Sequence, residues 1–413
     1  GANRMTGFTL PSSPLDGREE NSRQAINSAL NAIRQHLGMP IAYVSEFVDG
    51  ESVFRYVDAP GLEHLIKPGD SRDLTEVYCL HILEGRLPEL IPDTSQNSLA
   101  MAMPITREIP IGAHMSIPIR LMDGTPYGMF CCLGPEPNTS LNERDLETMR
   151  LFANLAAQQI DKDYAQRRAL QEIRERILET LDTSAFAIAY QPIVDLGQMK
   201  PSGYEALCRF SAEPYRSPDV WFDEAAAVGL AVELELASIR QAVQRISQIA
   251  PDQYISVNAS PSTVISDQFA ETFLKLPLDR ILLEITEHAV IDDYESFTKV
   301  LRPLRHAGLR LAVDDAGAGH SSLRHIVQLN PDYVKVDMSL TRNVDSDLAR
   351  RALIGALLFY TRETSAHIIA EGIETEAELN TLKLLGVRRG QGYLLGRPSQ
   401  EIAKTIDLYS KAS

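Results

Sequence analysis

The sequence predicts an α+β domain followed by an α/β barrel of the (β/α)₈ type, with one long helix joining them. Two hairpins in the first 160 residues predict the α+β domain, and eight strand-like runs that alternate with helical stretches after Phe186 predict the barrel. A stretch without proline or glycine, Leu141–Leu181, predicts the joining helix. The predicted divisions are an N-terminal extension (1–19), a first domain (20–160), a helical linker (161–180) and a second domain (181–413).

In the first domain, apolar residues at helical spacing predict a helix over Asn21–Leu37. Asp49-Gly50 and Asp123-Gly124 are turn pairs typical of hairpins, so we expect a strand on each side of both. We expect the long helix to begin at a capping box formed by Ser140 and Glu143. Because one small domain seldom buries a helix this long, we expect it to link two domains and to pair with a second copy in a homodimer.

In the second domain, short apolar runs bounded by polar residues predict buried parallel strands. These strands are expected at 186–193, 203–209, 254–259, 281–286, 310–315, 332–337, 366–371 and, weakly, 387–391. Helical spacing fills the gaps between them, for example over Asp223–Ile246 and Asp292–His306.

Five of the predicted strands end in a polar or charged side chain that suits a catalytic metal site. These side chains are Asn258, Glu284, the pair Asp314-Asp315, Lys335 and Glu371. Because the carboxyl ends of parallel barrel strands meet at one end of the barrel, we expect these groups to converge there, together with Glu205. Apart from Lys335, these side chains offer oxygen donors without accompanying Cys or His, which favours Mg²⁺ or Mn²⁺ over Zn²⁺.

Two metal ions about 4 Å apart would suit an in-line displacement at phosphorus. Lys335, at the end of a buried strand, is expected to position the water nucleophile or to stabilise charge on a phosphate. Arg209, four residues after Glu205, is predicted to contact phosphate. Gly317 and Gly319 predict a mobile loop beside the site.

The second domain resembles EAL-domain cyclic di-GMP phosphodiesterases across residues 180–408. The resemblance rests on successive motifs in the family's order. They are Tyr190-Gln-Pro-Ile-Val, Tyr204-Glu-Ala-Leu-Cys-Arg-Phe, Ser256-Val-Asn-Ala-Ser, Leu283-Glu-Ile-Thr-Glu, Asp314-Asp-Ala-Gly-Ala-Gly-His-Ser-Ser-Leu, Asp332-Tyr-Val-Lys-Val-Asp, Ala370-Glu-Gly-Ile-Glu and Gln391-Gly-Tyr-Leu-Leu-Gly-Arg-Pro. The resemblance implies a barrel whose first strand is antiparallel, two Mg²⁺ or Mn²⁺ ions, and hydrolysis of cyclic di-GMP to linear pGpG.

The resemblance also implies roles for individual residues. Glu205, Asn258, Glu284 and Asp314 resemble the ligands of one metal, and Asp314, Asp315 and Glu371 resemble those of the second. Lys335 takes the place beside the attacking water. Glu205, Asp315 and Glu371 are also implied to be catalytic, because they would hold the metal ions. Substrate contacts are implied for Arg209, Gln391, Leu207 and Gln191, and Glu287 resembles the glutamate that braces the loop after Asp315.

This loop departs from the family pattern at three positions. Ala316, Ala318 and His320 stand where the family usually has an aromatic residue, a hydroxyl residue and tyrosine. The departure leaves the ligand set intact. It raises the alternative of a catalytically weak or inactive module that only binds cyclic di-GMP, and a third reading is some other barrel phosphodiesterase.

The first domain resembles GAF sensory domains, on motifs that include Val77-Tyr-Cys-Leu and Tyr127-Gly-Met-Phe-Cys-Cys-Leu. GAF domains bind small molecules or simply dimerise, so this domain has an unknown small-molecule ligand or none. Cys79 near His81 is expected to be a buried thiol and not a site of covalent pigment attachment.

The bulk composition excludes several classes of protein. Of 413 residues, 44% are hydrophobic, but no run approaches the roughly 18 apolar residues that a membrane helix needs. The net charge of −16 argues against a nucleic-acid polymer as partner, and an anionic substrate would need metal ions or well-placed arginines. The four cysteines form no zinc spacing, and Gly1–Gly7 lacks the apolar core of a signal peptide, so we expect a cytoplasmic protein.

Overall fold

The computed structural model describes residues 14–213, 215–286, 290–316 and 322–402, and contains two compact units. The border between the units falls at Ala169 and Leu170, inside a single helix. Among the described helices, none combines the length and the apolar character required to cross a lipid bilayer.

The N-terminal unit is built on a six-stranded antiparallel sheet with the order β3-β2-β1-β6-β5-β4. Its elements are α1 (Pro14–Leu37), β1 (Ile41–Val48), β2 (Glu51–Asp58), β3 (Ser71–Asp73), α2 (Tyr78–Leu83), β4 (Leu90–Ile91), α3 (Ser98–Ala102), α4 (Ile105–Glu108), β5 (Ala113–Arg120), β6 (Pro126–Gly134) and α5 (Glu143–Thr183). Apolar residues of α1 and of the first half of α5 pack on one face of the sheet. The segment that contains α2, α3 and α4 covers the other face.

The second unit contains a closed eight-stranded barrel, so the predicted fold is confirmed. Its elements are β7 (Phe186–Asp195), β8 (Lys200–Phe210), α6 (Pro218–Ala227), α7 (Ala231–Val243), β9 (Tyr254–Asn258), α8 (Pro261–Val264), α9 (Asp267–Phe273), β10 (Ile281–Thr286), α10 (Tyr294–His306), β11 (Arg310–Ala316), α11 (Ser322–Leu329), β12 (Tyr333–Val336), α12 (Met338–Thr341), α13 (Leu348–Glu363), β13 (His367–Ala370), α14 (Glu376–Leu385) and β14 (Arg389–Gly390). Strand β7 is antiparallel to both of its neighbours, β8 and β14, and the other barrel pairs are parallel.

Two local predictions were wrong. The helix expected over Asp223–Ile246 is broken between α6 and α7, because Gly229 adopts a left-handed φ of 72° that ends the first helix. The N-terminal cap of α5 is Asn142, two residues later than the expected Ser140, and the box with Glu143 does not form. The Asn142 side chain accepts from Arg144 N, and the Asp145 carboxylate accepts from Asn142 N.

The interior of the barrel contains an apolar layer formed by residues that face inward from several strands. This layer consists of Ile193, Tyr254, Leu282, Ala312, Tyr333 and Ile369. Gly203 pairs with Tyr254, and a Cβ atom at Gly203 would lie 2.7 Å from the Tyr254 ring. The absence of a side chain at Gly203 therefore leaves space for the tyrosine in the interior.

Candidate active site

The candidate site lies directly above this apolar layer, because side chains two residues apart on a strand face the same side. Two residues after Leu282, Ala312, Tyr333 and Ile369, the parallel strands β10 to β13 carry or lead into Glu284, Asp314, Lys335 and Glu371. Since β7 runs in the opposite direction, its contribution is Gln191, two residues before Ile193. One inward-facing register therefore places these polar groups at the same end of the barrel.

Lys335 forms the centre of the site. Its ammonium group is fully buried and lies 2.8 Å from Glu284 Oε2, 2.9 Å from Glu371 Oε1 and 3.1 Å from Asp314 Oδ1. A fourth carboxylate oxygen, Glu205 Oε1, lies 3.5 Å away. The structure thus brings together a lysine and four carboxylates that are far apart in the sequence.

The neighbouring residues Asp314 and Asp315 both reach the site because the end of β11 is irregular. The register between β11 and β12 shifts between Val313 and Ala316, and Asp315 has a left-handed φ of 56°. In a regular strand, adjacent side chains point to opposite faces, so this bulge allows the two carboxylates to lie together. Asp315 N also donates to Asp314 Oδ1 at 3.1 Å, which helps to hold the turn.

The carboxylates form two groups that share one residue. Oxygen atoms of Glu205, Glu284 and Asp314 all lie within 4.8 Å of one another, and so do oxygen atoms of Asp314, Asp315 and Glu371. Asn258, at the end of β9, donates to Glu205 Oε1 at 3.5 Å and therefore borders the first group. Asp314 is the only member common to both groups among the described residues.

The electrostatics of the site fit divalent cations. Five carboxylates and one ammonium group give a formal charge of −4, which two divalent cations would neutralise. Burial raises the pKa of Glu284 well above its usual range and that of Glu371 to about 8, although Lys335 acts in the opposite direction. Burial alone would lower the pKa of Lys335, but the surrounding carboxylates outweigh it and raise that pKa. Protein groups alone therefore leave excess negative charge, and the donors are the oxygen ligands that hard cations prefer.

Two glutamines border the first carboxylate group. Gln391 Nε2 donates to Glu205 Oε2 at 2.6 Å and to Gln191 Oε1 at 3.2 Å. Gln191 Nε2 in turn donates to the Gly396 carbonyl at 3.1 Å. The Gln391 Oε1 atom is buried and has no hydrogen-bond partner among the described residues, so it can accept a hydrogen bond from a bound molecule.

Two cavities open at the site. The larger, of about 590 Å³, is lined by Leu207, Arg209, Asn258, Asp314 and Asp315 together with residues of α6 and α7. The smaller, of about 400 Å³, is lined by Gln191, Asp315, Glu371, Gln391 and residues that include Arg342, Glu374 and Tyr393. Asp315 lines both cavities, so a ligand that fills both would pass over the shared carboxylate.

Some site residues differ from the predicted set. Glu287 and most of the loop after Ala316 lie outside the described residues. Ser256 was given no role at the sequence level, yet it is fully buried and donates a hydrogen bond to Glu284 Oε1. Its position two residues before Asn258 on β9 is the signal that would have identified it.

Comparisons with known proteins agree with this architecture. Residues 174–398 match the family model described as EAL domain, and residues 19–161 match the model described as GAF domain. One relative, the Escherichia coli K12 protein named "Probable cyclic di-GMP phosphodiesterase PdeG", is 30% identical over 261 residues, which are 60% of this chain and 51% of that protein. This chain spans about a third to a half of the length of the first curated relatives that it matches.

Solved structures extend the comparison. One described as "PaMucR Phosphodiesterase, c-di-GMP complex" is 26% identical, with a TM-score of 0.50, over 55% of this chain and 97% of that one. The EAL enzyme Bd1971 with cAMP and cyclic di-GMP bound has a TM-score of 0.54 over 90% of this chain and 93% of its own. At 18% identity, the second likeness shows the fold alone.

Proposed function

Because this chain belongs to the EAL domain family, we propose that it is a phosphodiesterase that hydrolyses cyclic di-GMP to linear pGpG under the control of its GAF domain. The observation that carries the proposal is the pair of carboxylate groups that share Asp314 around the buried ammonium of Lys335. The name of the Escherichia coli relative supports the reaction, and the cyclic di-GMP complex of the PaMucR phosphodiesterase supports the substrate.

The proposed cofactors are two Mg²⁺ or Mn²⁺ ions. Glu205, Asn258, Glu284 and Asp314 would hold one ion, and Asp314, Asp315 and Glu371 would hold the other. Such ions lower the pKa of water and stabilise the attacking and leaving oxygens of an in-line displacement at phosphorus.

The chain's own groups would orient the substrate and the water. Lys335 is held by four carboxylates, so its ammonium is fixed where it can position the water nucleophile or stabilise negative charge on the phosphate. Arg209 would contact a phosphate from the wall of the larger cavity, beside Leu207. Gln391 would accept a hydrogen bond from substrate or water through Oε1, while Gln191 holds its amide in place.

The two cavities suit a dinucleotide with two similar halves. Each cavity would receive one nucleoside, which would place one phosphodiester bond over Asp315 and the neighbouring carboxylates. Water would add across one of the two phosphodiester bonds of the ring, so a single cleavage gives the linear product.

The direct test is a product assay with the full chain, cyclic di-GMP and Mn²⁺. We expect pGpG from the unmodified chain, and a loss of at least about 10³-fold in turnover for Asp314→Ala, which removes a ligand from both groups. Asp252→Ala, at an exposed position outside both cavities, is the matched control and should retain activity. Full activity of Asp314→Ala would refute the proposed site.

The same assay separates the alternatives. Binding of cyclic di-GMP at saturating Mn²⁺ without any product would indicate a receptor module, which the altered loop at Ala316 favours. Hydrolysis of linear dinucleotides in preference to the cyclic one would indicate a different phosphodiesterase.

The regulatory part of the proposal assigns residues 20–160 to a sensory GAF domain, 161–180 to a helical linker and 181–413 to the phosphodiesterase domain. The sensory ligand is an unknown small molecule or none, and homodimerisation and a cytoplasmic location remain predictions. The test compares the turnover of cyclic di-GMP by the full chain with that by residues 170–413 alone. Different turnover rates would support regulation by the N-terminal unit.

A further inference from the structure

Helix α6 contributes to the wall of the larger cavity. Asp219, Phe222 and Asp223 line this cavity from α6, together with Arg209 and Asn258 from β8 and β9. Trp221 and Glu224 occupy other positions of the same short helix, and Trp221 is fully buried. The position of α6 therefore sets the shape of the cavity, and whatever fixes Trp221 and Glu224 fixes that wall.

The C-terminal part of α5 holds α6 at two points. Arg176 Nη2 donates to Glu224 Oε2 at 2.8 Å, and Arg174 Nη1 donates at 2.9 Å to the carbonyl of Val228, the residue that ends α6. Ile177, in the same part of α5, belongs to the same apolar cluster as Trp221. The helix α6 thus rests on α5 through both apolar and charged contacts.

Glu224 is the single acceptor for two guanidinium groups. Arg216, in the loop that leads into α6, also pairs with Glu224, and the guanidinium carbons of Arg216 and Arg176 lie 4.8 and 5.8 Å from the centre of the Trp221 ring. Burial raises the pKa of Glu224, but the hydrogen bonds from Arg216 and Arg176 outweigh it and leave this pKa below its usual value. The carboxylate therefore stays charged and keeps both arginines on α6.

Trp221 also contacts the strand that carries the site. Trp221 stacks on Phe210, the last residue of β8, with ring centres 4.9 Å apart and an angle of 13° between the planes. Strand β8 also carries Glu205 and Arg209. Helix α6 thus contacts both β8 and α5, and of these two contacts only the one with α5 is made by charged groups.

We propose that Arg176 is a positioning residue that fixes α6 through Glu224 and so sets the wall of the substrate cavity. The inference rests on the proposed function, because it assigns this cavity to the substrate. Since α5 begins at Glu143, within the residues of the N-terminal unit, the same contact offers a route by which a change in that part of the helix reaches the cavity.

An ion pair that only stabilises the barrel would give a different kinetic result. None of the described carboxylates around Lys335 belongs to α6, so a displaced α6 weakens substrate binding and leaves the reacting groups in place. The inference therefore predicts a change in KM and not in kcat. A purely structural pair predicts a lower melting temperature or less active protein at unchanged KM.

The test compares Arg176→Met and Arg176→Lys in the full chain, with Arg302→Met as the control. Arg302 is an exposed arginine of α10 that makes no ion pair with a described carboxylate. We expect Arg176→Met to raise KM for cyclic di-GMP about tenfold, the equivalent of one charge-assisted hydrogen bond, with kcat within about twofold. Arg176→Lys should recover part of the affinity, and Arg302→Met should match the unmodified chain.

Trp221 gives an independent readout, because it is the only tryptophan in the chain. Its emission should shift in Arg176→Met and stay unchanged in Arg302→Met. An unchanged KM in Arg176→Met overturns the inference, whatever happens to the melting temperature.

Failure of the proposed function would be visible separately. If the unmodified chain binds cyclic di-GMP without hydrolysing it, the dissociation constant followed by Trp221 fluorescence replaces KM. A dissociation constant about tenfold weaker in Arg176→Met then supports the inference, and an equal one overturns it. A chain that neither binds nor hydrolyses cyclic di-GMP overturns both proposals.

Discussion

Replacing Lys335 with methionine should make the stability of the barrel depend on divalent cations. Methionine fills a similar volume but removes the ammonium that four carboxylates contact at 2.8 to 3.5 Å. Without metal, the variant keeps a buried cluster of carboxylates with no positive partner. With metal, the bound cations supply the positive charge that the lysine supplied.

The size of the effect follows from the burial of the pair. Removing one partner of a buried ion pair costs about 3–5 kcal/mol. Protonation of Glu284 and Glu371, whose pKa values burial raises, limits the cost to the lower part of this range near neutral pH. For a unit of this size, a loss of about 3 kcal/mol corresponds to a decrease of roughly 6–12 °C in melting temperature.

The assay is urea unfolding followed by the fluorescence of Trp221, which is fully buried in the core of the barrel unit. We expect Lys335→Met to lose about 3 kcal/mol in EDTA and to recover most of this loss in Mn²⁺, while cyclic di-GMP turnover stays abolished. Lys299→Met, at an exposed position of α10, is the control and should change stability by less than about 0.5 kcal/mol. A loss of the same size in EDTA and in Mn²⁺ would refute the electrostatic reasoning.

Four further substitutions test other parts of the structure. Asp315→Asn and Glu205→Gln should each reduce the number of Mn²⁺ ions bound per chain from two to one, as measured by calorimetry. Two bound ions in either variant would contradict the assigned ligands. Burial lowers the pKa of His114 to about 3 in the folded protein, whereas an unfolded histidine has a pKa of about 6.5. Below about pH 6.5 the unfolded state therefore binds one proton more than the folded state, and the free energy of unfolding decreases as the pH is lowered. Between pH 7 and pH 5, His114→Phe should lose about 2 kcal/mol less stability than the unmodified chain, as measured by urea unfolding with circular dichroism. An equal dependence of unfolding free energy on pH in the two proteins would contradict this prediction. Gly203→Ala should destabilise the barrel by about 1–3 kcal/mol, because the new Cβ meets the Tyr254 ring, and a neutral result would show that the ring can move.

The strands of the barrel could be predicted from the sequence because each is a short apolar run with a polar end. The expected run 281–286 coincides with β10, and 310–315 falls one residue short of β11. The break at Gly229 was missed, since a single glycine in a helical pattern does not show whether its φ will be positive. Side-chain periodicity thus predicts the presence of a helix or strand more accurately than the position at which a helix is interrupted.

The convergence of the site residues could also be predicted, but their contacts could not. Parallel strands bring their carboxyl ends together, so Glu284 and Glu371 were expected at one end of the barrel. That Lys335 would contact four carboxylates depends on distances within the barrel interior, which the sequence does not encode locally. The contact between Arg176 and Glu224 joins two residues that are 48 positions apart and lie on different helices, and it leaves no periodic signal in either helix.

The combination of one lysine with five carboxylates links folding and the proposed catalysis through the same cations. A stable protein without metal would be expected to balance its buried charges, because each unpaired buried charge costs several kcal/mol. Here the formal imbalance of −4 is concentrated at one end of the barrel, above an apolar layer of buried side chains. We therefore expect the site to be least stable without cations, because bound cations would relieve the repulsion between the carboxylates. Lys335 offsets part of this repulsion and is also expected to act on the water or the phosphate, so its removal should affect stability and turnover differently.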